Sequence, residues 1–294
     1  MREWLISAIL LCLTVISISF AGPLLLAGFD FYTAIRVFLI RPGVILAGLP
    51  FSIPLISILL AHELGHFIAC RYYGMRCTPP YFIPAPISPL GTFGAFIKIK
   101  SQFRHRRALF DIGIAGPLAG FAFTLPTLWI GISLSRIVPK HGFTPGLFSF
   151  GEPLIFRWLG ELILGYSPDR QEMIAHPMAM AAWAGLLVTS LNLLPIWQLD
   201  GGHISYAILG RSLQKKVSII SLVLLVLVSF VGWPPSYALL FFAALLLIVG
   251  ARLRFFHPPT LLDEEQLGPG RLSFGVLALL ILIISFTPVP ITIT

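Results

Sequence analysis

Charged side chains are scarce in this sequence: Asp, Glu, Lys and Arg make up 11% of its 294 residues, whereas hydrophobic residues make up 57%. The mean hydropathy is correspondingly high, at +0.91. So little charge cannot cover the surface of a soluble domain, and the composition therefore excludes an ordinary soluble protein. We expect an all-α polytopic membrane protein whose surroundings are a lipid bilayer.

Cysteines and acidic residues are also few. The three cysteines are Cys12, Cys70 and Cys77, and the first two lie within apolar runs. This number and placement exclude a disulfide framework, so we expect Cys70 and Cys77 to be reduced, near the cytoplasmic face. The 12 acidic residues face 20 lysines and arginines, which gives a net charge of +8. Because no basic cluster accompanies a recognisable nucleic-acid-binding fold, we expect no nucleic-acid partner and assign the excess to cytoplasmic loops.

Long apolar runs predict about seven transmembrane helices. They lie at residues 4–28, 44–70, 109–134, 177–196, 217–232, 235–251 and 273–287. The small residues at 19 and 21 form a site that a signal peptidase could accept, but the apolar run continues beyond it, which favours an uncleaved first span. With the N-terminus in the cytoplasm, 14 lysines and arginines fall on cytoplasmic segments and 6 on external ones. This bias predicts a cytoplasmic N-terminus.

Residues 74–107 differ from the rest of the chain because they are rich in proline and glycine and end in a basic cluster. From Phe93 to Lys100 the side chains alternate, with alanine and isoleucine on one side and Phe96 and lysines on the other. The alternation predicts a β-strand, in a hairpin at the membrane surface or in a re-entrant segment covered by protein. The open edge of such a strand could accept a substrate strand. The alternative is a cytoplasmic linker punctuated by prolines.

The second apolar run contains three ionisable side chains, His62, Glu63 and His66. The two histidines stand four residues apart, so on a helix both imidazoles project from one face. This is the zinc-binding His-Glu-x-x-His pattern, in which the carboxylate beside the histidines can take a proton from water. Each polar group would cost a few kcal/mol at membrane depth, so an unused copy is disfavoured. The alternative is a pair of histidines hydrogen-bonded between helices.

A catalytic zinc site needs a third protein ligand, and Asp200 is the best candidate. It follows Pro195, which ends the fourth predicted span, and it is followed by two glycines that let the backbone approach closely. The predicted topology places Asp200 on the same side of the membrane as His66. The alternative is an aspartate that caps a turn, because Asp-Gly is a common turn pair.

Three motifs in this order resemble the site-2 protease family of intramembrane zinc metalloproteases, peptidase family M50. They are His-Glu-Leu-Gly-His at 62–66, Gly-Pro-Leu-Ala-Gly at 116–120, and Asn-Leu-Leu-Pro at 192–195 with Leu-Asp-Gly at 199–201. The resemblance implies a three-helix core in which His62, His66 and Asp200 hold one zinc ion and Glu63 is the general base. It further implies that substrate is bound by Asn192 and by a membrane-associated strand that contains Gly91, Gly94 and Phe96.

The resemblance covers roughly residues 44–212 and predicts the domain organisation. We expect a first span and external loop at 1–43, the catalytic core at 44–212, and C-terminal transmembrane helices at 213–294. Where many bacterial members insert a PDZ domain, this chain has only residues 135–175, in which an amphipathic segment at 153–164 could take over part of that role. We interpret His203 as packing in or near the turn rather than as a ligand.

The function that these features predict is a zinc-dependent endopeptidase that cleaves transmembrane proteins near the cytoplasmic face of a plasma-type or inner membrane. A zinc transporter or metal sensor is the first alternative, but it would favour ligands repeated along a pathway and internal symmetry, which the sequence lacks. A second alternative is another membrane metalloprotease fold with a glutamate as third ligand, but the late acids Glu264 and Glu265 lie in a polar loop and not on a span. A third, an inactive scaffold, is disfavoured by the intact set of ligands and base. The sequence does not define an oligomeric state.

Overall fold

The computed structural model describes residues 2–25, 31–88, 90–140, 148–232, 234–253, 258–262 and 267–293, and these residues are mostly helical. The helices are α1 Arg2–Leu25, α2 Phe31–Ile40, α3 Val44–Ala47, α4 Leu49–Tyr72, α5 Arg106–Ser133, α6 Leu154–Leu164, α7 Pro177–Leu193, α8 Asp200–Val228, α9 Tyr237–Leu253 and α10 Pro269–Ser285. The strands are β1 Tyr81–Pro84, β2 Thr92–Phe96, β3 Arg136–Pro139, β4 Phe148–Phe150, β5 Gln171–Ile174 and β6 Ile291–Ile293.

Three of the described helices are long and apolar enough to cross a membrane: residues Arg2–Gly22 of α1, all of α4 and all of α5. Three further apolar helices are shorter, namely α7, α10 and residues Tyr237–Ala251 of α9. A membrane location is therefore supported, whereas the count of seven spans is not established by these lengths.

Helix α8 differs from the prediction. α8 consists of two helical parts: the first begins at Asp200, and the second, which follows Gly210 and runs to Val228, begins earlier than the span predicted at 217–232. It is interrupted at Gly210, where φ is 77° and ψ is 172°, values that lie outside the helical region and that glycine tolerates. The first part of α8 is therefore available to the site, and the second part forms the apolar segment that the sequence pattern detected.

The predicted strand is present and forms a hairpin. β2 pairs antiparallel with β1, and the alternation continues beyond β2, where Lys98 is exposed and Ile99 half-buried. The linker alternative for this segment is therefore wrong. The expectation of a single hairpin was also incomplete, because β3 pairs with β5 and β4 pairs with β6. Those strands are only three or four residues long, too short for a period-two pattern to stand out in the sequence.

The core is built around α5, which packs against α4 and α7 where all three present small residues. A Cβ added at Gly131 of α5 would overlap Ala179 of α7, and one added at Gly65 of α4 would overlap the backbone of Ala115. Small residues allow helices to approach closely where lipid provides no hydrophobic driving force between them. The buried Trp183 of α7 donates its indole N–H to Gly151 O at 2.7 Å, which ties the β4–α6 segment to this core.

The predicted amphipathic helix is confirmed as α6. Its buried side includes Phe156 and Gly160, while the charged Arg157 and Glu161 are exposed together with Leu154, Trp158 and Leu162. The helix therefore lies on the core rather than forming part of a separate folded domain.

Candidate metal centre

Helix α4 presents both histidines from one face, as its spacing predicts. His62 and His66 are buried, and their Nε2 atoms lie 3.1 Å apart. The other ring nitrogen of His66, Nδ1, lies 2.7 Å from Ile112 O of α5. A carbonyl oxygen only accepts, so Nδ1 carries the proton and donates it, which leaves the Nε2 lone pair free to bind a metal.

The third side chain comes from the start of α8. Asp200 Oδ2 lies 3.2 Å from His62 Nε2, and Asp200 Oδ1 lies 3.2 Å from His66 Nε2. The two glycines that follow make this approach possible, because a Cβ at Gly201 would overlap Leu193 O and a Cβ at Gly202 would overlap Trp197 O. The predicted proximity of Asp200 to the histidines is therefore confirmed.

The turn that delivers Asp200 is held by the second half of α8. Trp197 in this turn has a φ of 53°, in the left-handed region that non-glycine residues rarely adopt. Its backbone N–H donates to Ser218 Oγ, and Gln214 Nε2 donates to Trp197 O at 3.4 Å. Ser218 Oγ also lies 3.2 Å from Pro195 O and donates to it. These buried polar contacts fix the turn whose conformation would otherwise be strained.

The three side chains fit a divalent metal ion. The ligand atoms that His62, His66 and Asp200 offer all lie within 4.8 Å of one another. Asp200 Oδ2 is buried and has no hydrogen-bond donor, a state that is costly unless a cation binds the oxygen. Two imidazole nitrogens and one carboxylate are typical zinc donors and leave a fourth tetrahedral position open. Histidines that served only to join helices would not need to converge with a carboxylate in this way.

Glu63 lies beside the three side chains and is not one of them. It is 6% exposed and lines the same cavity of about 200 Å³ as His62 and Asp200. Its carboxylate accepts a hydrogen bond from the backbone N–H of Ile97, just after β2. The side chain is therefore held between the helix that carries the histidines and the strand segment.

Helix α5 passes directly behind the histidines because it has glycines at the points of contact. A Cβ at Gly116 would overlap the His66 ring, and one at Gly120 would lie 3.1 Å from His62 Cβ. One turn earlier, a Cβ at Gly113 would lie 2.9 Å from His203 Cβ. The sequence prediction that the small residues at 116 and 120 allow close packing here is confirmed by this geometry.

Two of the four candidate substrate residues line the metal cavity. Asn192 Nδ2 lies 3.5 Å from His62 Nε2, and both Asn192 and Phe96 line the metal cavity. Gly91 and Gly94 are not among the residues that line it. Gly91 instead packs on α1, where its carbonyl accepts a hydrogen bond from Ser17 Oγ at 2.6 Å.

Further residues complete the cavity wall. His203 lines it but lies outside the group of three possible ligands, and its ring packs on Phe103 with centroids 5.8 Å apart. Gln198, Ile97 and Ile99 also line the cavity and were not singled out in the sequence. The position of Gln198 two residues before Asp200 was a usable signal, whereas the isoleucines are ordinary strand residues. Glu264 and Glu265, the alternative third ligands, lie outside the described residues.

Comparison with known proteins defines the class to which this fold and site belong. The model of peptidase family M50 matches residues 50–231, which include both histidines, Glu63 and Asp200. The chain therefore belongs to peptidase family M50, and the resemblance to site-2 proteases is confirmed.

Two similar proteins come from plants. The probable zinc metalloprotease EGY2, chloroplastic, of Oryza sativa subsp. indica is 34% identical over 174 residues, which are 58% of this chain and 31% of the relative. The probable zinc metalloprotease EGY1, chloroplastic, of Arabidopsis thaliana is 30% identical over 247 residues, 83% of this chain and 43% of the relative. The chain thus spans less than half the length of these relatives. Their names do not favour the zinc-transporter alternative.

Proposed function

We propose that this protein is a zinc-dependent intramembrane endopeptidase that cleaves transmembrane proteins. The observation that carries the proposal is the convergence of His62, His66 and Asp200, with Glu63 in the same cavity. Two of the helices beside this cavity, α4 and α5, are long and apolar enough to span a membrane. Metalloprotease names among the relatives support the same reaction class.

His62, His66 and Asp200 would hold the zinc ion, one per chain. When bound, zinc supplies a Lewis acid that polarises a carbonyl group and lowers the pKa of water to about 7. The hydrogen bond from His66 Nδ1 to Ile112 O keeps the ligand nitrogen of that ring pointed at the site.

Glu63 acts as the general base and then as the general acid. Its carboxylate takes a proton from the attacking water and delivers it to the nitrogen of the departing amine, so that the peptide bond is broken without an unstable amide anion. The hydrogen bond from the Ile97 N–H holds the carboxylate in the cavity. Asn192 has an amide N–H group beside His62, from which it can donate to a substrate carbonyl oxygen.

The substrate is a transmembrane segment that unwinds before cleavage. A peptide bond inside a helix is shielded, whereas an extended strand exposes its carbonyl groups, and Phe96 at the end of β2 lines the cavity where such a strand would lie. We assign catalysis to residues 44–212, with 1–43 and 213–294 as flanking membrane segments.

The distribution of basic residues supports a cytoplasmic N-terminus and cleavage near the cytoplasmic face of a plasma-type or inner membrane. With the N-terminus in the cytoplasm, 14 lysines and arginines lie on cytoplasmic segments and 6 on external ones.

The test is Glu63→Gln, which removes the proton carrier but retains the shape of the side chain. We expect cleavage of a co-expressed, tagged single-span protein to fall by about 10²- to 10⁴-fold. The zinc content of the purified protein should remain at one ion per chain, because Glu63 is not a ligand.

Glu161→Gln, an exposed position on α6, is the matched control and should cleave normally. Full cleavage by zinc-loaded Glu63→Gln would contradict the mechanism, and zinc flux into proteoliposomes would revive the transporter.

A further inference from the structure

A second cavity lies beside the metal cavity and is larger, about 410 Å³ compared with about 200 Å³. The residues that line both cavities are Phe96, Ile97, Ile99, Gln198 and His203. Because the cavities share this wall, a chain that leaves the metal site along residues 96–99 enters the second cavity next.

Pro258 and Pro259, which are exposed, also line the second cavity. They are held to the segment that follows the strand, since Gln102 Nε2 donates to Pro259 O at 3.3 Å. Leu261 N also donates to Phe103 O at 3.1 Å. The second cavity is thus lined by two segments of the chain, 96–103 and 258–259, that hydrogen bonds hold together.

The backbone between the two cavities is oriented to receive an extended chain. Thr78 N donates to Lys98 O at 3.0 Å, and Lys100 N donates to Arg76 O at 2.8 Å. In a strand, the backbone N–H and C=O of one residue point to the same edge, and those of the next residue point to the other edge. The N–H and C=O groups of Ile97 and Ile99 therefore face away from residues 76–78. The Ile97 N–H donates to the Glu63 carboxylate, which places this edge beside the reaction centre, so pairing with a substrate chain would use Ile97 O and the backbone groups of Ile99.

The lining of the second cavity suits a polar chain rather than a lipid-exposed one. Besides the two prolines and the apolar residues of 96–103, its lining includes Lys98, Ser101, Gln102, Gln198 and His203. Lys98 is the charged member of this set, and no Asp or Glu is among the described residues that line the cavity. Carboxylate and amide side chains therefore find a cation and hydrogen-bond donors here, whereas a lysine would meet like charge.

We propose that this second cavity is a specificity subsite that binds the polar segment of the substrate just outside its membrane-spanning part, with preference for an acidic side chain opposite Lys98. The proposal rests on the protease function proposed above. Beyond the scissile bond, the substrate has an extended, polar stretch that contains an acidic residue and leaves the membrane on the side of residues 96–103.

The test uses a single-span protein that wild type cleaves at a mapped bond. An aspartate, an alanine or a lysine is placed in turn at each of the first few positions on the polar side of that bond, and kcat/KM is measured in detergent. At one position we expect aspartate to be preferred over lysine by about fivefold, the size of a partly exposed charge interaction. In Lys98→Glu the preference should reverse at that same position.

Lys216→Glu is the matched control, because it makes the same charge change at an exposed residue of α8 that does not line the cavity. It should keep the wild-type preference, and both variants should retain zinc and the wild-type melting temperature. Equal cleavage of all three substrates, or a preference that Lys98→Glu leaves unchanged, would overturn the subsite while the protease function stands. If zinc-loaded wild type cleaved no single-span protein in the co-expression assay proposed above, the protease function itself would be overturned.

Discussion

At the scale of single residues, Gly116 shows how closely the site depends on side chains that perform no chemistry. A Cβ at this position would overlap the His66 ring, and the adjacent turn of α5 supplies Ile112 O, to which His66 donates. The His66 ring therefore occupies the space that a side chain at position 116 would fill, and a hydrogen bond sets its orientation. Because Gly116 and Ile112 belong to the same helix, a shift of α5 changes both contacts at once.

We predict that Gly116→Ala weakens zinc binding. The added methyl group must displace either the His66 ring or α5, and changes in the groups that support metal ligands typically lower metal affinity by about 10- to 100-fold. Zinc affinity can be measured by competition with a chromophoric chelator. Gly270→Ala is the control, since this exposed helical glycine has nothing within 4 Å of the added Cβ. Wild-type affinity in Gly116→Ala would show that the helices separate without cost.

The sequence predicted the ionisable residues of the site better than its other residues. His62, Glu63 and His66 stand out because polar groups in an apolar run demand an explanation, and Asp200 follows from the need for a third ligand. Gly91 was assigned to substrate by the family resemblance, and its φ of 74° and its contact with α1 additionally give it a structural role in the hairpin. No local pattern distinguishes a glycine that packs from one that contacts a ligand.

At the scale of elements, an ion pair joins α10 to the back of the site. Arg271 donates from Nε and Nη2 to both carboxylate oxygens of Asp111, at 2.8 and 2.7 Å. Tyr73, at the end of α4, donates its hydroxyl to the same carboxylate. Asp111 immediately precedes Ile112, whose carbonyl orients His66. Three helices therefore meet at one carboxylate near the metal ligands.

We predict that Arg271→Gln lowers stability by about 1 kcal/mol, because a two-point charge-assisted pair is lost from a position that is about one-third exposed. For a chain of this size the melting temperature should fall by about 2 °C. Arg271→Lys should recover part of the loss, since it keeps the charge but not the planar fork. The control is Lys140→Gln, because the Lys140–Glu172 pair is longer, at 3.7 Å, and more exposed. An unchanged melting temperature in Arg271→Gln would show that the pair does not hold α10.

The elements themselves were predictable where they were long and apolar. Hydropathy located α1, α4 and α5, but it could not reveal that α8 starts at Asp200, because residues 200–216 are too polar to resemble a span. The β3–β5 and β4–β6 pairs join residues far apart in the sequence, so their partners depend on tertiary structure rather than on local pattern.

At the scale of the whole molecule, the candidate metal centre links helices that are distant in the chain. The histidines belong to α4 and Asp200 to α8, and α5 packs against both helices through its glycines. Asp200 Oδ2 is buried without a hydrogen bond, so a cation shared with the two histidines would satisfy it and tie α8 to α4. A ligand that binds only the folded state stabilises it in proportion to the logarithm of its concentration over Kd. Metal binding and folding should therefore be coupled.

We predict that zinc at about 100 times its Kd raises the free energy of unfolding by about 2.7 kcal/mol, which corresponds to an increase of about 5 °C in melting temperature. Removal of zinc with a chelator should reverse the increase. Asp200→Ala should abolish the zinc-dependent shift, whatever its own melting temperature, because one of the three ligands is missing. Calcium, which prefers six to eight oxygen ligands, should produce no shift in wild type. An equal zinc shift in Asp200→Ala and wild type would mean that the stabilising ion binds elsewhere, and Asp200 would no longer be the third ligand.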